Sequence, residues 1–137
     1  MEDINQKSME EILGEKKLVC IVDDDAMIRE MYSTKFRLEG FDVISAVNGE
    51  EGLALIRERK PDVVLLDMLM PVKGGMEVLE EMKRDITIRT TPVVVLSNLS
   101  DEKTYNKVGK YDAHFYVVKA LATPQKVVDI VHEVLHW

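Results

Sequence analysis

The chain has one cysteine, Cys20, so it can close no disulfide within itself, and a disulfide-stapled secreted scaffold is excluded. Cys20 stands in the apolar run Leu18 to Val22, where it reads as a small buried hydrophobe, and a reducing cytoplasm suits it. Rings are scarce as well. Aromatics make up 6% of the residues against 46% hydrophobic, so a core has to be built mostly from Val, Leu, Ile and Met. That palette fits strands covered on both faces. No apolar stretch approaches the roughly 18–20 residues of a membrane span. The polar N-terminus lacks the apolar centre of a signal peptide, and a soluble, unexported protein is expected. Basic residues are outnumbered, 18 Lys and Arg against 25 Asp and Glu, for a net charge of −7. This opposes broad attraction to nucleic acid phosphates or anionic membrane surfaces, and direct binding to either is not expected.

What is present is an alternation. A length of 137 residues is that of one domain with a sizeable core. Residues 1–17 are polar and acidic, with apolar residues too sparse for a core face, and read as a flexible or loosely helical lead-in to a domain over 18–137. From Leu18 onward, short apolar runs alternate with longer stretches of helical period, the pattern of repeated βα units and a parallel sheet. The runs are Leu18 to Val22, Asp42 to Ala46, Val63 to Leu66, Val93 to Leu96 and Phe115 to Val118. Between them the spacing predicts helices. Ile28, Met31, Tyr32 and Leu38 form the inner stripe of the first, and Gly40 stops it. Leu53 and Ile56 mark a second, ended by Pro61, and Met76, Leu79 and Met82 mark a third. A polar fourth helix, capped by Ser100 or Asp101, has only Tyr105 and Val108 to turn inward. The fifth starts at Pro124 and turns Val127, Ile130, Val131, Val134 and Leu135 inward.

Open parallel sheets place ligand sites at the C-terminal ends of their strands, and the residues standing there are polar. The first run ends in Asp23, Asp24 and Asp25, the third in Asp67, the fourth in Ser97 and the fifth in Lys119. Strands in register would bring these onto one rim. Clustered carboxylates repel unless a hard cation joins them, and Mg2+ takes oxygen ligands while sharing its remaining positions with water or a phosphoryl group. A carboxylate so placed can also attack a phosphoryl donor and form an acyl phosphate. Lys119 would then meet the product oxygens with a point charge, and Ser97 with a hydrogen bond. Asp25 reads as a helix cap or solvated neighbour rather than a ligand, the ordinary role of Asp there. His114, His132 and His136 have no ligand constellation and read as solvated or locally bonded.

Four landmarks in order, Ile21-Val22-Asp23-Asp24-Asp25, then Pro61-Asp62-Val63-Val64-Leu65-Leu66-Asp67-Met68-Leu69-Met70-Pro71, then Ser97, then Tyr116-Val117-Val118-Lys119, resemble the receiver domains of two-component response regulators, over about Lys17 to Trp137. The resemblance implies a flavodoxin-like, doubly wound α/β fold with a five-stranded parallel sheet in the order 2-1-3-4-5 and five helices. It implies that Asp67 is the phosphoacceptor, that Asp23 and Asp24 hold Mg2+ with it, and that the Leu69 main-chain carbonyl completes the protein ligands. Ser97 and Tyr116 would be the switch pair, and Lys119 would contact the phosphoryl group. The implied partners are a sensor histidine kinase or histidine phosphotransfer protein on the input side. An unidentified target, or a second copy in a homodimer, would read the face formed by the fourth helix, fifth strand and fifth helix.

Some residues depart from the family pattern. Lys119 precedes Ala120 where many receivers have proline, so either a trans connection with a shifted loop or a visibly strained one is expected. Asn98 is bulky for its place and would narrow the entry for phosphodonors. Leu69 and Leu99, two positions beyond Asp67 and Ser97, are apolar where the family's side chains flank the path of the hydrolytic water, so autodephosphorylation should be slow. The polar fourth helix and the stretch Gly109 to Ala113 suggest a face with its own partner or mobility. Against a nucleotide- or flavin-binding domain, Asp23-Asp24-Asp25-Ala26 offers no glycine for close approach to phosphates. An aspartyl-phosphate phosphohydrolase would want an acid where Leu69 stands. An unphosphorylated interaction module and the receiver of a hybrid kinase are the remaining alternatives; a lead-in beginning at Met1 favours a free-standing protein.

Overall fold

Five apolar runs, β-branched or leucine-rich, pair as parallel strands in a computed structural model that describes residues 16–98, 102–110, 113 and 115–137. The expected lead-in falls almost wholly on residues 1–15, and the expected caps Ser100 and Asp101 also lie outside the described residues. The strands are β1 (Leu18–Val22), β2 (Asp42–Ala46), β3 (Val63–Leu66), β4 (Val93–Ser97) and β5 (Phe115–Val118), in the order β2-β1-β3-β4-β5. The helices between them are α1 (Ala26–Leu38), α2 (Gly49–Arg59), α3 (Gly75–Arg84), α4 (Glu102–Gly109) and α5 (Pro124–Leu135).

Side chains alternate across a strand, so each apolar run feeds two cores. Cys20, Val22, Val64, Leu66, Val93 and Val95 pack with Leu53, Ile56, Val78, Leu79 and Met82 under α2 and α3, and Val108 of α4 joins them. Val19, Ile21, Val63, Leu65, Val94 and Leu96 pack on the opposite face with Tyr32 and Phe36 of α1 and with Val127, Val128 and Val131 of α5. This is the doubly wound arrangement expected.

Helix ends follow their sequence signals. The Asp25 carboxylate accepts the N–H groups of Met27 and Ile28, capping α1 as expected of it. Asn48 caps α2 and Thr123 caps α5 ahead of Pro124. Gly40 ends α1 with φ +94°, and the chain closes a Schellman turn: Gly40 donates to the Arg37 carbonyl and Phe41 to that of Phe36. The hydrophobic contact of that motif is the Phe36–Phe41 ring pair, edge-on with centroids 5.2 Å apart.

The inner stripe of α1 differs from the expected one. Tyr32 and Phe36 are buried with Ile28 partly so, whereas Met31 is 41% and Leu38 81% exposed. The helix presents its 28-32-36 line to the sheet, and the Schellman turn fixes that phase by seating Phe36 under Phe41. On α4, Val108 is buried, but Tyr105 is 61% exposed and lies edge-on to Tyr116, at 5.8 Å between centroids.

Candidate functional site

The site begins as a matter of register. Val22 pairs with Leu66, so the next residues, Asp23 and Asp67, leave adjacent strands side by side. The Asp67 N–H donates to the Val22 carbonyl at 3.0 Å, and the Asp23 N–H to the Ala46 carbonyl at 3.2 Å. Ser97 closes β4 and pairs with Val118, the residue before Lys119. Four strand ends thus deliver two carboxylates, a hydroxyl and an ammonium to one rim.

Local bonds then aim the side chains. Asp23 Oδ1 accepts the Asp25 N–H at 2.9 Å, and Arg29 Nη1 donates to the Asp23 carbonyl at 2.8 Å. Asp23 and Asp67 are buried, while Asp24 is exposed. One oxygen from each of Asp23, Asp24 and Asp67 lies within 4.8 Å of the other two. Lys119 Nζ sits 2.5 Å from Asp23 Oδ2 and 3.4 Å from Asp67 Oδ2. Together these groups line a cleft of about 270 Å3, whose wall Leu69, Ser97 and Asn98 complete.

The electrostatics are unbalanced. Burial is the largest influence on Asp67 and pushes its carboxyl up; the Lys119 charge pulls it down and the Asp23 charge pushes it up again, with the result above the ordinary value. Burial alone would lower Lys119, but the hydrogen bond and charge of Asp23, with those of Asp67, hold its ammonium above the ordinary value. One ammonium therefore faces three carboxylates. All-oxygen donors, two of them buried and short of counter-charge, fit a hard divalent cation, and these three aspartates could hold one.

Of the expected site residues, Asp23, Asp24, Asp67, Leu69, Ser97 and Lys119 all meet in this cleft. Tyr116 does not line it; it stands partly exposed on β5 against α4, beside a second cavity that Tyr105 and Val108 also line. Lys119 enters a 3-10 turn, Lys119–Leu121, and no peptide bond among the described residues is cis, so the Ala120 connection is the trans one of the two expected. Asn98 is exposed on the cleft wall, as is Leu69, whose backbone polarity pulls the Asp67 carboxyl down. Leu99 and His114 lie outside the described residues. Arg29 carries no signal in the pattern of acids, since its bond is to a main-chain carbonyl; its place one turn into α1 is the only hint. Gly75 is another such residue: a Cβ there would come within 2.3 Å of the Asp67 carbonyl.

Residues 19–132 match the model of the response regulator receiver domain. The chain belongs to that family. It is 35% identical over 116 residues to the probable transcriptional regulator ycf27 of Guillardia theta, covering 85% of this chain and 44% of that protein. It is 32% identical over 112 residues to the phosphate regulon transcriptional regulatory protein PhoB of Pseudomonas aeruginosa, covering 82% of this chain and 48% of that one. The chain thus spans less than half the length of these curated relatives. Among solved structures, the chemotaxis protein CheY4 of Vibrio cholerae superposes with a TM-score of 0.81 at 27% identity, over 88% of this chain and 99% of that one. A putative response regulator from Chloroflexus aurantiacus gives 0.82 at 28%, over 90% and 100%. The sheet order, with the five α-helices found among the described residues, is that of the CheY-like fold. Members of this family are phosphoacceptor signalling domains of two-component systems rather than enzymes in the ordinary sense. Among the described residues no helix is long and apolar enough to cross a membrane.

Proposed function

We propose that Asp67 accepts a phosphoryl group from the phosphohistidine of a sensor histidine kinase or histidine phosphotransfer protein, with Mg2+, and that this switches the face made by α4, β5 and α5. The observation that carries this reading is a buried carboxylate at the end of β3, with two further carboxylates within 4.8 Å and an ammonium at 3.4 Å. Asp23, Asp24, Asp67 and the Leu69 main-chain carbonyl would hold Mg2+, which supplies positive charge to the transferring phosphoryl oxygens. An Asp67 carboxylate oxygen attacks phosphorus; the O–P bond forms as the P–N bond to the donor imidazole breaks, and the imidazole nitrogen keeps the electron pair. Lys119 then turns its ammonium from Asp23 toward the new phosphoryl oxygens, and Ser97 donates its hydroxyl to one of them. The chain assists its own phosphorylation and has no separate substrate to turn over.

The movement of Ser97 leaves room for Tyr116 to turn inward from its place against Tyr105, which reshapes the surface of α4, β5 and α5. An output protein, or a second copy of the chain, reads that surface in the cytoplasm. Residues 18–137 form the receiver and 1–17 its lead-in. The apolar Leu69 at the cleft mouth gives the attacking water no hydrogen-bond partner, so the acyl phosphate is lost slowly.

Intact-mass spectrometry after incubation with Mg2+ and acetyl phosphate tests the reading. It expects one phosphoryl adduct that needs Mg2+, is labile to hydroxylamine and is absent from Asp67→Ala. No adduct, either with acetyl phosphate or with a phosphorylated histidine phosphotransfer protein, would favour an unphosphorylated interaction module instead.

A further inference from the structure

We propose that Gly49 is a positioning residue for the cation site, acting through the loop between β3 and α3; the inference rests on the Mg2+ reading above. Asn48 caps α2 by accepting the Glu51 N–H, and that turn leaves Gly49, the first helical residue, with its N–H free to bond outside the helix. It donates to the Lys73 carbonyl at 3.0 Å. A Cβ at Gly49 would sit 2.1 Å from that oxygen and 2.8 Å from Val78 Cγ2. One neighbour is backbone and the other belongs to a wholly buried side chain of α3, so neither can swing aside. Glycine is required here by contact, to let two backbones meet.

The loop it meets is drawn tight. The Lys73 N–H donates to the Pro71 carbonyl at 2.8 Å across Val72, whose φ is +70°. A β-branched residue stays in that region only where its surroundings hold it. Val72 is itself 72% exposed, so the restraint comes from its neighbours. Lys73 is held twice, by its carbonyl on Gly49 and by its ammonium on Glu81 of α3. At the other end, the Gly75 N–H donates to the Met68 carbonyl at 3.0 Å. Leu69 lies between these anchors, in the wall of the cleft that Asp67 also lines. The β2–α2 turn therefore sets where the main chain of Leu69 stands relative to the three aspartates.

The test titrates Mg2+ by calorimetry into the parent, Gly49→Ala and Gly40→Ala, and follows amide hydrogen exchange of the loop in each. Gly40 is the control: its φ of +94° makes alanine strained, yet nothing lies within 4 Å of the added Cβ, and it sits at the opposite end of the sheet. Gly49→Ala should weaken Mg2+ binding by about 10- to 100-fold, as loss of an outer support to a metal ligand does, and should speed exchange at Leu69 and Lys73. Gly40→Ala should lower stability while leaving the affinity within about twofold of the parent and loop exchange unchanged. Glu81→Gln loosens the same loop without adding an atom, and should weaken binding by about two- to fivefold even where Gly49→Ala fails to fold. Parental affinity and loop exchange in both loop variants, or an equal loss in Gly40→Ala, overturns the role of Gly49. A parent that takes up no Mg2+ overturns the cation reading and this role with it.

Discussion

Asp67→Asn should make the metal-free protein more stable than the parent at neutral pH. At an effective dielectric near 20, the Asp67 carboxylate gains about 5 kcal/mol from Lys119 at 3.4 Å and loses about 3.5 kcal/mol to Asp23 at the 4.8 Å limit. Asp24 is exposed, and in water-like surroundings adds about 1 kcal/mol of repulsion. These contributions nearly cancel, which leaves the cost of burying the charge uncompensated. Asparagine keeps the shape but carries no charge, and it leaves the Asp23–Lys119 pair intact. A gain of about 1–2 kcal/mol is expected, seen in urea with EDTA present as a higher midpoint at unchanged slope. The sign with pH follows from the raised pKa. Between its unfolded and folded values the native carboxyl binds more protons than the unfolded one, so stability falls as pH rises through that window. The advantage of Asp67→Asn should therefore shrink as pH is lowered through the raised value. Mg2+ should narrow the difference, adding about 1.4 kcal/mol to the parent at ten times its Kd and less to the variant. A metal-free Asp67→Asn that is less stable than the parent, or a difference that ignores pH, would refute this account of the cleft.

Phe36→Ala should cost about 3–5 kcal/mol in chemical denaturation, since it empties a wholly buried site and removes the ring on which Phe41 closes the α1 turn. Burial pushes the Cys20 thiol up to about 12, so alkylation at pH 8 should proceed only through unfolding and accelerate with sub-denaturing urea; labelling at the rate of a free thiol would contradict this. Asp85 is held down at about 2, first by the Thr87 hydroxyl, then by the Thr87 N–H and by Arg57. Carboxyl NMR titration should accordingly show its midpoint rising more in Thr87→Val than in Arg57→Gln.

Strand positions were legible because strands covered on both faces read as unbroken apolar runs, and the site was legible because polar residues stand where those runs stop. Register then did what spacing alone implies: once Val22 pairs with Leu66, Asp23 and Asp67 must be neighbours. The inner line of α1 was less so, because Met31 and Leu38 are as apolar as Phe36 and two helical phases fit the same residues. Only the Schellman turn at Gly40, a contact between a helix and the residue just past its end, selects between them. Tyr105 reads as inward by its type, yet on a helix this polar its ring covers Tyr116 instead of the core. Arg29 and Gly49 act on backbone carbonyls, one of them 24 residues away at Lys73, and no pattern of side-chain types announces such contacts.

The central claim is that Asp67, of the four aspartates lining the cleft, carries the phosphoryl group. Reductive trapping with borohydride after phosphorylation, followed by peptide mass mapping, reads this directly, because an aspartyl phosphate is reduced to homoserine where it stood. Homoserine at position 67 and nowhere else is the predicted result. Homoserine at position 23, 24 or 25, or a phosphoryl adduct that maps to no aspartate, would contradict it.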